Sequence, residues 1–334
     1  MKKFSLENIY SHLGDEESRF LFEKRLCYSL TNDLLRMERA IDIRGCLLHK
    51  LQKIRENFFI FGAGIIGHDI FNTFPEICWR AFIDNDNTKI GKQDVLPIIS
   101  FQQFIENSKN AVVITSSLLY GNEMKQQLMD NGFSEDFIVP LILDNQYFDI
   151  QYFKPQKNEF FIDAGGFDGG TTKDFFKWLG DYEKDGKSIL FEPNPILYND
   201  CKEKLKDYNN VKIVNKGLWH KEETLKFNKA GSGSHIDSDG EEIIEVINLD
   251  EYLKNEKEPV TFIKMDIEGA ELNALKGAEQ TIKKYKPKLA ICIYHKPEDV
   301  WEIPNLLLEF VPDYKFYIRH YGLSCFETVL YALH

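Results

Sequence analysis

Apolar residues recur at helical spacing through the first 56 positions, at Phe20, Leu21, Leu26, Leu30, Leu34, Leu35, Ile41, Leu47, Leu48 and Leu51, with no strand-like alternation among them. This pattern predicts a helical lead-in whose apolar stripe packs on a neighbouring domain or another subunit. At Asn57 the pattern changes abruptly. Phe58-Phe59-Ile60-Phe61 is a short run of buried-strand type; Gly62-Ala63-Gly64-Ile65-Ile66-Gly67 and an amphipathic stretch to Phe74 follow, giving strand, glycine turn and helix in order. Residues 79–83, ending in Asp84, and residues 111–115 predict two more strands, 122–129 a helix, and the unit closes near Pro140.

A polar connection at about residues 142–157 separates this unit from a second alternation of strands and helices. Glu159-Phe160-Phe161-Ile162 opens it, with strands predicted at 188–191, 211–214, 261–265 and 288–294. Residues 315–318 and 327–331, separated by a turn around Gly322, read as a closing hairpin. The expected architecture is α/β: a helical segment over 1–56, a small Rossmann-like domain over 57–145, and a larger domain over 146–334. The larger domain should carry a class I, seven-stranded Rossmann-like sheet finished by an antiparallel hairpin, the layout of methyltransferases.

Composition narrows the classes. A hydrophobic content of 43% and a charged content of 28% over 334 residues suit a folded protein of two domains rather than a disordered chain. Glu7 and Asn8 interrupt the apolar run a secretion signal needs, and no segment is long and apolar enough to span a bilayer, so a cytoplasmic location is expected. The cysteines Cys27, Cys46, Cys78, Cys201, Cys292 and Cys325 lack zinc-ligand spacing and read as buried apolar thiols. A net charge of −12 repels a phosphate backbone and argues against a nucleic-acid partner.

Asp163-Ala164-Gly165-Gly166-Phe167-Asp168-Gly169-Gly170 lies between a strand and a helix, where backbone N–H groups face the crevice at the carboxyl end of a sheet. Its glycines let backbone approach a ligand. Asp163 and Asp168 disfavour a pyrophosphate and suit an ammonium. The next strand ends in Phe191-Glu192-Pro193-Asn194, which sets an acid where it can hold both hydroxyls of a ribose. A ribose, an ammonium and no phosphate describe S-adenosylmethionine. Asp163, Gly165, Gly166, Asp168, Glu192 and Asn194 are the candidate cofactor residues.

These residues resemble the FkbM-type methyltransferases over about positions 158–334. The resemblance rests on Asp163-Ala164-Gly165-Gly166, on Phe191-Glu192-Pro193-Asn194, and above all on Ile263-Lys264-Met265-Asp266-Ile267-Glu268-Gly269-Ala270-Glu271 with Leu275-Lys276-Gly277-Ala278. The tail from Tyr294-His295-Lys296-Pro297 to Ile303-Pro304, with Arg319-His320-Tyr321 and Glu327-Thr328-Val329-Leu330-Tyr331, is similar to one branch of that family. The resemblance implies a class I fold, S-adenosylmethionine as donor, and O-methylation of sugars or secondary metabolites. A hydroxyl of a sugar, glycan or glycosylated metabolite is therefore the expected acceptor.

An alcohol acceptor needs a base. Asp266 and Glu268 follow one predicted strand and His295 the next, so all three are catalytic candidates near the crevice, with a neutral His295 as the expected general base. Glu298, Asp299, Arg319 and His320 are candidate acceptor contacts. No metal is required by this reading; an alternative has Asp266 with Glu298 and Asp299 holding Mg2+. For Glu271 a helix N-terminal carboxylate is the preferred reading. The loop Gly231-Ser232-Gly233-Ser234-His235 reads equally as a closing loop or a solvent loop.

Gly62, Gly64 and Gly67, with Asp84 about 20 residues on, fit the dinucleotide fingerprint. The unit is short and carries no evident dehydrogenase group, so a nucleotide-linked sugar, NAD, or a lost ligand all remain open there. Two alternative functions follow: an NAD-dependent sugar-modifying enzyme working from this loop, and a nucleotide-sensing binding protein with an inactive methyltransferase fold. A homodimer is a candidate assembly.

Overall fold

The computed structural model describes residues 5–37, 57–75, 77–108, 111–117, 120–141, 146–148, 150–228, 235–236 and 242–334. Ile41, Leu47, Leu48, Leu51, Cys46, residues 231–234 and the His235 side chain lie outside the described set. The chain forms two compact units, one of residues 1–22, 145–319 and 328–334 and one of residues 23–144 and 320–327. These differ from the expected segments in dividing the lead-in at residue 22 and in grouping 320–327 with the earlier unit.

In the unit of 23–144 and 320–327, β1 (Phe58–Phe61), β2 (Trp79–Asp84), β3 (Ile98–Ser100), β4 (Val112–Thr115) and β5 (Ile138–Val139) form a sheet in the order β3-β2-β1-β4-β5. Every ladder is parallel. β1 is central because its side chains alternate between two cores. Phe58 and Ile60 pack with Ile70, Phe74 and Phe82; Phe59 and Phe61 pack with Phe104, Val113 and Leu128. β3 and β5 were not foreseen, being too short, at three and two residues, for a period to register.

In the unit of 1–22, 145–319 and 328–334, the strands are β6 (Phe160–Ala164), β7 (Lys187–Phe191), β8 (Val211–Val214), β9 (Gly217–Trp219), β10 (Glu223–Asn228), β11 (His235–Ile236), β12 (Glu242–Asn248), β13 (Phe262–Met265), β14 (Lys288–Cys292), β15 (Lys315–His320) and β16 (Thr328–Leu333). A seven-stranded sheet has the order β15-β16-β14-β13-β6-β7-β8, and β9 to β12 make a separate sheet of four. β14, β13, β6, β7 and β8 run parallel, while β16 is antiparallel to β14. From β6 the chain winds outward through β7 to β8 and then crosses to β13 on the other side of β6. That reversal is a topological switch point, where an open α/β sheet leaves a crevice beyond its strand ends.

The four-stranded sheet was also absent from the expected elements, although its signal is present. Leu225 alternates with exposed Thr224 and Lys226, and Ile244 and Val246 with exposed Ile243 and Glu245; the inward set packs with Trp219. Part of the lead-in covers the β15 edge. Leu13 bridges Phe316, the Gly14 N–H donates to the Phe316 carbonyl (2.8 Å), and the Phe316 N–H donates to the His12 carbonyl (2.8 Å). Cys201, Cys292 and Cys325 are buried, but Cys27 and Cys78 are exposed, against the expectation for all six. Among the described residues no helix is long and apolar enough to cross a membrane.

Candidate active site

β6 runs into the loop 165–169, which opens the helix Gly170–Leu179. Gly165 has φ +83°, and a Cβ there would lie 1.9 Å from the Asp266 carbonyl oxygen, so only glycine lets this loop rest on the end of β13. Lys264 secures it from below. Pairing of β13 with β6 sets Lys264 beside Asp163. The buried ammonium donates to the Gly165 carbonyl (2.7 Å) and lies 3.2 Å from Asp163 Oδ1. Burial works against its charge, but Asp163 and then Asp266 outweigh burial and hold the Lys264 pKa above its ordinary value.

Asp163 is accordingly a counter-ion inside the fold, with its other oxygen accepting from the Thr172 hydroxyl (2.7 Å). Asp168 accepts from the Gly170 N–H (2.8 Å) and pairs with Lys204. Both carboxylates expected to meet an ammonium are thus engaged by the protein's own donors. Lys264 was not singled out from the sequence. Its signal was a lysine inside the apolar run Phe262-Ile263-Lys264-Met265, which cannot be buried without an acid partner.

Glu192 sits just past the end of β7, nearly buried, and accepts from two backbone N–H groups: Phe167 on the glycine loop (2.9 Å) and Asn194 (2.9 Å). Burial pushes its carboxyl up to about 7, against the lowering effect of those two bonds and of Lys264. Phe167, at φ +50° and 38% exposed, stands at the crevice rim beside it. Asn194, the other candidate cofactor contact on this loop, caps the helix Pro195–Lys204, its Oδ1 accepting from Ile196 N (2.9 Å) and Leu197 N (3.4 Å).

Past β13 and β14 the chain gathers a second cluster. Asp266 accepts from the Tyr147 hydroxyl (2.8 Å) and the Tyr294 hydroxyl (3.2 Å). His295 is almost enclosed by carboxylates. Its Nδ1 lies 3.0 Å from Glu271, and its Nε2 lies 3.4 Å from Asp266 and 3.5 Å from Glu268. Burial lowers the imidazole pKa, but Glu271 first, then Asp266 and Glu268, raise it to about 10. The surrounding carboxylates thus favour the imidazolium at the position where a neutral base was expected. Burial raises Asp266, and the charges of His295 and Lys264 overcome that and hold it below its ordinary value. Glu268 takes φ +55°, an uncommon strained backbone for a side-chain-bearing residue, and stays 37% exposed at the cluster's edge.

Residues 163–322 match the family model described as the methyltransferase FkbM domain. The matched segment is similar to FkbM methyltransferase domains. The FkbM methyltransferase from Methylobacillus flagellatus shares the fold, with a TM-score of 0.51 at 19% identity, covering 94% of this chain and 98% of that one. Aeropyrum pernix fibrillarin, solved with natively bound S-adenosyl-L-methionine, aligns at a TM-score of 0.36 and 10% identity over 54% of this chain and 67% of its own. No curated protein sequence matches the chain.

Within the matched segment the remaining candidates are dispersed. Asp299 is buried and accepts from the Lys296 N–H (2.9 Å); burial, with Glu271 nearby, raises its carboxyl to about 7. Glu298 is half-buried at the start of the helix Asp299–Phe310. Among the described residues, the group whose ligand atoms converge within 4.8 Å is Asp266, Glu271 and His295, not Asp266 with Glu298 and Asp299. Arg319 is drawn into the fold by Asp15 (2.7 Å) and Glu17 (3.2 Å) instead of facing an acceptor. His320 is buried too, 2.8 Å from the Ser324 carbonyl. Glu271 and Tyr147 join the cluster unforeseen. Glu271 looked like an ordinary helix-start carboxylate, and Tyr147 lies in what read as a plain connection.

In the other unit, Gly62-Ala63-Gly64 links β1 to the helix Ile65–Thr73. A Cβ on Gly67 would lie 2.1 Å from the Gly62 carbonyl oxygen, whereas one on Gly64 would meet nothing within 4 Å. Asp84 accepts from the Ala63 N–H (2.9 Å) and pairs with Lys89 (3.0 Å).

Proposed function

We propose that residues 146–334 form an S-adenosylmethionine-dependent O-methyltransferase acting on a hydroxyl of a sugar, glycan or glycosylated metabolite. The observation that carries the reading is Glu192, placed beyond β7 and tied to the glycine loop through the Phe167 N–H. Each carboxylate oxygen accepts more than one hydrogen bond, so Glu192 retains capacity for the two ribose hydroxyls. Phe167 offers an aromatic face beside them. The donor supplies an electrophilic methyl group on a sulfonium, which leaves as a neutral thioether when the acceptor oxygen takes the methyl.

The chain's own task is alignment and proton removal. To Glu268, the partly exposed carboxylate at the edge of the cluster, we assign removal of the hydroxyl proton. His295, set among Glu271, Asp266 and Glu268, fixes the positions of these carboxylates. The sugar class of the acceptor comes from the family resemblance alone.

A second reading is favoured by the space above Gly64 and the close Gly62–Gly67 packing, which leave the first loop shaped for a nucleotide phosphate. For the unit around it we propose a nucleotide-linked ligand, NAD or a nucleotide sugar.

Calorimetric titration with S-adenosylhomocysteine and, separately, NAD tests both readings. We expect S-adenosylhomocysteine to bind wild type and to lose at least about 100-fold in Glu192→Ala, given about 1.5–3 kcal/mol per hydrogen bond to a charged group. NAD binding alone would overturn the methyltransferase assignment.

A further inference from the structure

We infer that Asp266, Glu271 and His295 form a binding site for a divalent transition-metal ion. Each residue offers one ligand atom, and the three atoms lie within 4.8 Å of one another. Asp266 follows β13, His295 follows β14, and Glu271 opens the helix Glu271–Lys276, so the set is carried on elements of the core.

A second observation points into the same space. Glu271 is fully buried, yet its Oε2 has no hydrogen-bond partner. The His295 side chain is 9% exposed, and neither ring nitrogen makes an aligned hydrogen bond, although carboxylate oxygens stand 3.0 to 3.5 Å away. Buried polar atoms are almost always satisfied, and a group close in distance but misaligned in angle needs a physical reason. An ion shared among the three supplies one, because coordination needs lone pairs directed at a common point and no hydrogen between ligands.

Charge leads to the same assignment. Three carboxylates surround one imidazole, and a single proton on the ring leaves the group negative. A divalent ion with a neutral imidazole balances Asp266 and Glu271. Supporting bonds are already in place: Tyr147 and Tyr294 donate to Asp266, and the Ile267 N–H donates to Glu271 Oε1 (2.8 Å). One imidazole and two carboxylates suit Mn(II), Fe(II) or Zn(II) better than Mg2+ or Ca2+, which favour oxygen-only ligands. Three protein ligands leave coordination positions open, and a hydroxyl bound there would have a lowered pKa.

The site adds to the methyltransferase reading without depending on it, since binding is measured with no methyl donor present. The test uses the full-length chain, stripped with chelator and titrated with Mn(II), with bound ion followed by electron paramagnetic resonance and nitrogen coupling by its pulsed form. The expected result is one Mn(II) per chain coupled to one histidine nitrogen, affinity reduced at least about tenfold in Glu271→Gln, and coupling lost in His295→Gln. His68→Gln removes a histidine paired with Asp94 in the other unit and should change neither. No bound Mn(II), Mn(II) without nitrogen coupling, or coupling lost in His68→Gln would overturn the site. Should either cluster variant not fold, the wild-type nitrogen coupling with the His68→Gln control still decides.

Discussion

The two glycine loops share a geometry and differ in charge. Each follows a central parallel strand, opens a helix, and gives one N–H to an acid at the end of the next strand: Ala63 to Asp84 and Phe167 to Glu192, both at 2.9 Å. In each case a glycine of the loop or of the helix it opens, Gly165 and Gly67, sits where a Cβ would strike a backbone carbonyl. Asp84, however, also meets Lys89. Burial raises its carboxyl, but bonds from Asp86 and Ala63 and the Lys89 contact outweigh burial and leave it lowered. Among the described residues Glu192 has no such ion pair, and burial, only partly offset by its backbone bonds and the charge of Lys264, pushes it up to about 7. One acid is paired with a cation of its own chain; the other, among the described residues, accepts from backbone N–H groups. Spacing of glycines and acid does not distinguish these states; the neighbouring cations do.

The largest effect that could break this comparison concerns the lysines. Lys264→Ala strands the buried Asp163 and should cost about 3–5 kcal/mol in chemical denaturation, whereas Lys89→Ala, at a 38% exposed side chain, should cost about 0–1 kcal/mol. Equal losses would mean that the two loops are held in the same way. Next come the glycines: Gly165→Ala and Gly67→Ala should each destabilise by about 1–3 kcal/mol through overpacking against backbone. Gly64→Ala should stay within about 0.5 kcal/mol. A Gly64→Ala variant as unstable as Gly67→Ala would remove the open space on which the nucleotide reading of the first loop depends.

A further effect is one of pH. Ribose hydroxyls donate to an ionised Glu192, so S-adenosylhomocysteine affinity should rise through pH about 7, by up to about tenfold per unit. Asp163 and Lys264 face the same carboxyl, so Glu192→Gln is the necessary control and should flatten the profile. Stability of the unliganded fold runs the opposite way. A carboxyl raised from its ordinary 4.5 to about 7 contributes fully below the lower value and loses that contribution as pH rises through the upper one. An unchanged affinity profile in Glu192→Gln would show that another group titrates.

Much of the architecture was legible because long buried runs such as Phe160-Phe161-Ile162 and Phe262-Ile263 carry period and flanking glycines together. The strands at 98–100 and 138–139 were not, being shorter than any period. Within the site, Glu192 and Asp266 could be placed by counting from strand ends. Partners could not. Whether Asp163 faces a ligand or Lys264 depends on pairing between β6 and β13, and the His295 protonation state depends on Glu271, brought beside it only by the folding of two loops. Arg319 illustrates the same limit: its acids, Asp15 and Glu17, lie some 300 residues earlier in the chain.

The contacts made by residues 12 to 18 and by Tyr147 bear on where this chain can be cut. The family match begins at 163, which invites a shortened protein starting near Glu159. Such a fragment would leave the β15 edge without its Leu13 and Gly14 cover, Arg319 buried without its acids, and Asp266 without the Tyr147 hydroxyl. The boundary of recognisable ancestry and the boundary of an autonomous folding unit are therefore different lines in this molecule, and expression of the minimal homologous segment should yield an aggregating product in place of a smaller enzyme.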